Sequence, residues 1–178
     1  DLVGQVLTNG KAGLLDLNLV KKQKLLRASA FTYPLIDYGI LYLSAAPTNG
    51  QTLEEVKSLV LAEIENLKKG NFDADLIPAI VNNIKKYKIQ STENYGNRAS
   101  DLMDAFTSEL DWRTQVAYVN DLSKIKKEDV VAFANKYLGD NYVAVLKRKG
   151  ERKDLVKIEK PTITPVETNA DKQSPFVK

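Results

Sequence analysis

The sequence predicts an α+β domain of two layers, with an antiparallel or mixed sheet covered by helices on one face. Three observations predict it. Two β-rich runs, KLLRASAFTY and YGILYLSAAP, follow one another across a short link containing Pro34, as a hairpin requires. From Thr52 to Leu138 the apolar residues recur at spacings of three and four, the period of helices that bury one stripe. A last β-rich run, NYVAVLKRK, returns directly after a helix, which suits helices laid on one side of a sheet.

Each element has its own local reason. Leu2, Val3, Val6 and Leu7 read as the last turns of a helix that the Asn9-Gly10 pair stops, so the chain opens inside an element and its sheet is expected to lack a first strand. A second apolar helix is expected over residues 12 to 22, and the hairpin strands near 24 to 33 and 38 to 46. Thr52 can cap the next helix while Glu55 returns a bond to the cap amide. Leu53, Val56, Val60, Ile64 and Leu67 form its apolar stripe, and Gly70 supplies a left-handed ending. A helix from Asp73 to Ile89 places Leu76, Ile80, Ile84 and Tyr87 on one face, with Pro78 in its early turns. Further helices are expected over 95 to 109 and 112 to 122. The helix within EDVVAFANKYL turns Val130, Phe133, Ala134, Tyr137 and Leu138 inward, and the following strand is expected to face the helices with Val143 and Val145. Residues 1 to 150 thus form the domain; 151 to 178, with three prolines and little periodicity, read as an interdomain linker or extended tail.

Composition removes several chemistries. The 178 residues are 43% apolar, enough to bury a core, and no apolar run approaches the about 20 residues of a membrane-spanning helix. Histidine and cysteine are both absent, which excludes disulfides, thiolate nucleophiles, His/Cys zinc sites and histidine general bases within this chain. The net charge of +3 comes from 26 basic and 23 acidic side chains that are well mixed, whereas nucleic-acid binders concentrate their positive charge. The small clusters at Lys21, Lys22, Lys24 and Arg27, at Lys85, Lys86 and Lys88, and at Lys147, Arg148 and Lys149 read as solvated faces, with a polyanion-binding module as a minor alternative.

No catalytic or metal-binding residue is assigned. Asp101 and Asp104 share a helix face, a spacing common on ordinary helices, and Glu109 lies in the same region. Ser44, Ser58 and Ser91 have no histidine to activate them, and no glycine pattern forms a phosphate cradle. Tyr33, Tyr38 and Tyr42 on or beside the hairpin are candidates to line a peptide groove or stack bases. The parity of Tyr38 and Tyr42 with Ile40 favours a core or domain-interface face over such a platform. An open strand edge is also expected, which can accept an extended peptide or be capped by a partner domain.

The stretch EDVVAFANKYLGDNYVAVLKRKG resembles the end of a domain in the M16 metallopeptidases, the pitrilysin, insulin-degrading and mitochondrial processing peptidase group. The residues that carry the resemblance are Glu128, Asp129, Val130, Ala134, Lys136, Tyr137 and Leu138, then Lys147, Arg148 and Gly150. The upstream order of helix, hairpin, TLEEV helix and second long helix is similar as well, so the resemblance spans about residues 1 to 150. It implies tandem domains around a chamber for unfolded peptides, with zinc held by a His-x-x-Glu-His helix and a further glutamate in another domain. This chain, without histidine, cannot be that domain. The resemblance further implies substrate contacts from a non-zinc domain through an arginine in the helix just before the hairpin and a tyrosine near the strand that follows that helix. Here Lys21 and Lys22 stand where the arginine is expected and Leu25 or Leu26 near the tyrosine, so direct transition-state help is not carried over.

The expectation is therefore a chamber-wall and substrate-binding domain of a zinc-dependent peptidase, itself inactive and holding no cofactor, with zinc in the longer protein. Its partners would be sister M16-type domains in the same chain or a companion subunit, and a peptide substrate. A non-enzymatic assembly domain is the alternative. The tail KPTITPVETNADKQSPFVK resembles the connection between successive domains in long bacterial members. The bacterial periplasm or cell envelope is favoured over the cytoplasm, and the lack of cysteine is compatible with an exported protein.

Overall fold

The computed structural model describes residues 1–150, 156, 158–166, 168 and 172–177. Residues Asp1–Ala144 form one compact unit and Val145–Lys178 a second. The first unit contains α1 (Leu2–Leu7), a π-helical turn (Asp16–Val20), β1 (Arg27–Pro34), β2 (Gly39–Ala46), α2 (Leu53–Lys68), α3 (Leu76–Thr92), α4 (Tyr95–Thr107), α5 (Trp112–Leu122) and α6 (Lys127–Tyr137). It is a mixed α/β domain in which helices cover a small antiparallel sheet.

The start and the stop of α2 follow the local chemistry expected of them. At α2, Glu55 N–H donates to Thr52 Oγ1 at 3.2 Å and Thr52 N–H donates to Glu55 Oε2 at 2.9 Å, a complete capping box. The helix ends where Gly70 takes φ of 70°, a left-handed conformation that costs a glycine little. Asn94 and Asp111 accept the first backbone N–H groups of α4 and α5 in the same way.

The predicted helix over 12 to 22 is shorter and wider than its pattern implied. Lys21 N–H reaches back five residues to Asp16 O at 2.8 Å, and Lys24 N–H to Leu19 O at 2.8 Å, which are π-type bonds. The loop before it explains the late start. Asp16 Oδ2 accepts from the backbone N–H of Asn9 at 2.9 Å, Gly10 at 2.9 Å and Gly13 at 3.2 Å, folding 9 to 13 back onto the turn. At Gly13 an added Cβ would lie 2.6 Å from Leu7 O, so only glycine fits that approach.

The core gathers apolar stripes from every layer. Leu7, Leu15, Leu19, Leu25 and Leu67 are among its fully buried side chains. Leu2, Val3 and Val6 of α1, Val56 and Ile64 of α2, Ile77, Ile80 and Val81 of α3, Leu122 of α5, and Val130 and Ala134 of α6 join it. The hairpin pairs Arg27 with Ala46 through to Pro34 with Gly39. Its inner face, Ala28, Ala30, Leu41, Leu43 and Ala45, packs against this core.

Three expectations are corrected. Residues 141 to 148 form no strand, and Val143 and Val145 are exposed rather than turned to the helices, because high β propensity creates a strand only where a ladder partner is present. Phe133 and Tyr137 lie half exposed on α6, stacked on each other at 4.6 Å between ring centroids, while Val130 and Ala134 one turn apart take the inward stripe. Tyr87 of α3 is likewise exposed.

In the second unit the described residues include exposed Ile158 and Ile163 and a 3-10 turn at Pro175–Val177. The linker assigned to 151–178 falls partly on 151–155, 157, 167, 169–171 and 178, which lie outside the described residues.

Candidate functional site

The candidate site is the outer face of the hairpin. Side chains alternate across a strand, so once Ala28, Ala30, Leu41 and Leu43 face the core, Phe31, Tyr33, Ile40 and Tyr42 must face away. Phe31 stands directly across from Tyr42, and Tyr33 from Ile40. The rings touch: Phe31 and Tyr42 have centroids 4.8 Å apart and Phe31 and Tyr33 6.3 Å, the latter edge-on. These four side chains are 44%, 61%, 55% and 51% exposed, so the ring cluster is a surface and not a buried contact. Leu35, Ile36 and Tyr38 extend the exposed apolar surface around the turn.

Of the tyrosines singled out from the sequence, the structure brings Tyr33 and Tyr42 together through Phe31. Tyr38 stands at the turn. Parity placed Tyr38, Ile40 and Tyr42 in line, but the core half of that expectation is overturned, because the smaller alanines and the leucines of opposite parity occupy the inside. Phe31 was not singled out, although its separation of two from Tyr33 carried the signal. Lys21 Nζ donates to Lys11 O at 2.6 Å and Lys22 Nζ to Asn18 Oδ1 at 3.3 Å, both close in sequence.

Beside β1 the structure assembles a polar group that sequence distance conceals. Thr32 Oγ1 donates to Asp1 Oδ1 at 2.7 Å, and the Tyr118 hydroxyl donates to Asp1 Oδ2. Burial raises the Tyr118 phenol above the ordinary tyrosine value of 10.0. These residues, with Gly4, Gln5, Ala30, Phe31 and Ile84, line a cleft of about 280 Å³.

The residues of the terminal pattern act structurally within α6. Asp129 Oδ2 accepts the Lys126 N–H at 2.8 Å, and Glu128 adds a second negative charge to the first turn. Val130 and Ala134 are buried, Leu138 packs on the core, and the Lys136 ammonium lies 5.0 Å from the Tyr137 ring centroid. Lys147, Arg148 and Gly150 fall in the second unit outside regular structure. Asp101 of α4 pairs with Lys88 of α3 at 2.7 Å, which gives this carboxylate a bridging role between helices.

The sequence supplies no imidazole or thiolate, and among the described residues no three acidic side chains converge. No helix among the described residues is long and apolar enough to cross a membrane.

A crystal structure described as a protease from Helicobacter pylori is similar to this chain, with a TM-score of 0.72 and 26% identity over 79% of this chain. The match covers 34% of that protease, so this chain spans about a third of its length. No protein-family model matches the sequence, and the comparison with curated proteins gives no match. The fold is thus that of part of a bacterial protease chain.

Proposed function

We propose that this chain is a non-catalytic, substrate-contacting and chamber-wall domain of a larger M16-type zinc peptidase that degrades unfolded peptides. The observation that carries the reading is the exposed ring cluster of Phe31, Tyr33 and Tyr42, held on a sheet whose other face is anchored in the core. Rigid aromatic rings bury much area at little entropic cost, which suits contact with many peptide sequences. Likeness to part of a protease chain supplies the context. Zinc and its activated water then belong to a sister domain, in the same polypeptide or in a companion subunit, and residues 151–178 connect to it. A periplasmic or envelope location accompanies this reading.

One feature favours a second reading, a non-enzymatic assembly domain. Leu102 and Phe106 of α4 and Trp112 and Val116 of α5 leave apolar side chains exposed at helical spacing, a surface suited to another domain.

The test is cleavage of an unstructured peptide library, with and without chelator, by this chain and by the longer protein containing it. The expected result is chelator-sensitive cleavage by the longer protein only, weakened by Tyr33→Ala with Tyr42→Ala. An inactive longer protein favours the assembly domain. Salt-dependent polyanion binding lost on neutralising Lys147, Arg148 and Lys149 would point to the third alternative, and cleavage by this chain alone refutes the proposal.

A further inference from the structure

The tripeptide Thr-Asn-Gly occurs twice in this chain, at Thr8-Asn9-Gly10 and at Thr48-Asn49-Gly50. An Asn-Gly pair has a chemistry of its own. The glycine backbone nitrogen can attack the asparagine Cγ, because no side chain on the glycine crowds the approach. Local sequence is the same at the two sites, so any difference in their reactivity comes from the fold.

At Asn9-Gly10 the reacting groups are held. Asn9 Nδ2 donates to Gln5 O at 3.1 Å, and Asn9 Oδ1 accepts from the Lys11 N–H at 3.0 Å and the Ala12 N–H at 2.9 Å. The Gly10 N–H, which would be the nucleophile, donates to the Asp16 carboxylate at 2.9 Å. Attack requires the side chain to leave three bonds and the nitrogen to leave a fourth. At Asn49-Gly50 these restraints are missing. Both residues are exposed in the link between β2 and α2. Among the described residues, neither the Asn49 side chain nor the Gly50 N–H has a hydrogen-bond partner. Gly50 takes φ of 79°, and a Cβ built on it would meet nothing within 4 Å, so the reacting atoms stand in open space.

We infer that Asn49 is a site of spontaneous deamidation and isoaspartate formation, and that its hydrogen bonds protect Asn9 from the same reaction. The Gly50 nitrogen bonds to Asn49 Cγ and gives up its proton, the Cγ–Nδ2 bond breaks, and the amide leaves as ammonia. Water then opens the resulting succinimide. Opening at the side-chain carbonyl returns an aspartate, whereas opening at the main-chain carbonyl routes the backbone through Cγ as isoaspartate. One water replaces one ammonia, with no oxidation or reduction. The position gives the change a structural consequence. Gln51 clamps this link, since its Oε1 accepts the Thr48 N–H at 3.1 Å and its Nε2 donates to Lys24 O at 3.1 Å. Isoaspartate inserts an extra backbone carbon between Thr48 and Gln51, inside the clamp. It thereby loosens the junction between the hairpin and the Thr52 cap of α2.

The experiment incubates the full chain at mildly alkaline pH and follows both asparagines by peptide mass spectrometry. Isoaspartate is distinguished by its labelling with an isoaspartyl methyltransferase. In the folded chain Asn49 should convert at least about tenfold faster than Asn9, the factor set by freeing the Gly10 N–H from its carboxylate. In urea the two rates should converge, because the tripeptides are the same. Asp16→Asn, which weakens the bond to the Gly10 N–H, should raise the Asn9 rate and leave that of Asn49 unchanged. Conversion of Asn9 as fast as Asn49 in the folded chain overturns the inference, as does a rate ratio that urea leaves unaltered. An Asn49 that converts in urea but not in the folded chain overturns it as well. So does aspartate at this position without isoaspartate, since a succinimide opens on both sides.

Discussion

Replacing Asp16 tests the device that joins α1 to the turn leading into β1. One carboxylate oxygen of this 8% exposed residue accepts three backbone N–H groups, two at 2.9 Å and one at 3.2 Å. Hydrogen bonds to an ionised acceptor contribute about 1.5 to 3 kcal/mol each, but three that share one oxygen do not add. Asp16→Ala also leaves the Gly13 N–H without its carboxylate in a buried setting, whereas the Asn9 and Gly10 groups lie nearer solvent. The expected loss is about 2 to 4 kcal/mol. Asp16→Asn keeps an oxygen but removes its charge, and charge-assisted bonds are roughly twice as strong as neutral ones, so its loss should be about 1 to 2 kcal/mol. Urea unfolding at neutral pH measures both, with an unchanged m-value showing that stability alone moved. Equal losses for the two variants, or a loss under about 0.5 kcal/mol for Asp16→Ala, the range of ordinary surface substitutions, would refute the reasoning.

Two further outcomes follow from other sites. Because burial raises the Tyr118 phenol above 10.0, this residue contributes stability that is present below the unfolded tyrosine value and is lost as pH rises through the higher folded value. Thermal melts across that alkaline range should show the loss, and Tyr118→Phe should flatten it; an unchanged slope would contradict the assignment. Thr52→Ala removes one arm of the α2 capping box and should cost about 1 kcal/mol by chemical denaturation, with Thr52→Ser restoring most of it.

How much of this was legible in the residues varies with the range of the cause. The capping box at Thr52 and Glu55 and the glycine ending at Gly70 were readable because their partners lie within one helical turn. The hairpin was readable from its two β-rich runs, though its strands begin at Arg27 and Gly39 rather than at 24 and 38. The π-type turn was not, since it depends on a carboxylate closing a loop several residues earlier. Among the site residues, Tyr33 and Tyr42 stood out as aromatics. Their exposure did not, because parity shows which residues share a face without showing which face the core takes.

The sequence by itself determined that this chain carries no histidine or cysteine chemistry, that its helix after Pro47 starts at the Thr52 cap, and that a hairpin precedes the run of long helices. Tertiary structure decided the rest. Packing of Ala28, Ala30, Leu41 and Leu43 against helices distant in sequence turned the aromatic face outward. Contacts spanning 31 and 117 residues placed Thr32 and Tyr118 on Asp1. Absence of a ladder for residues 141 to 148 left a strand-like sequence without a strand. Local chemistry is written in neighbouring residues, whereas burial and pairing depend on partners that only the folded chain brings within reach.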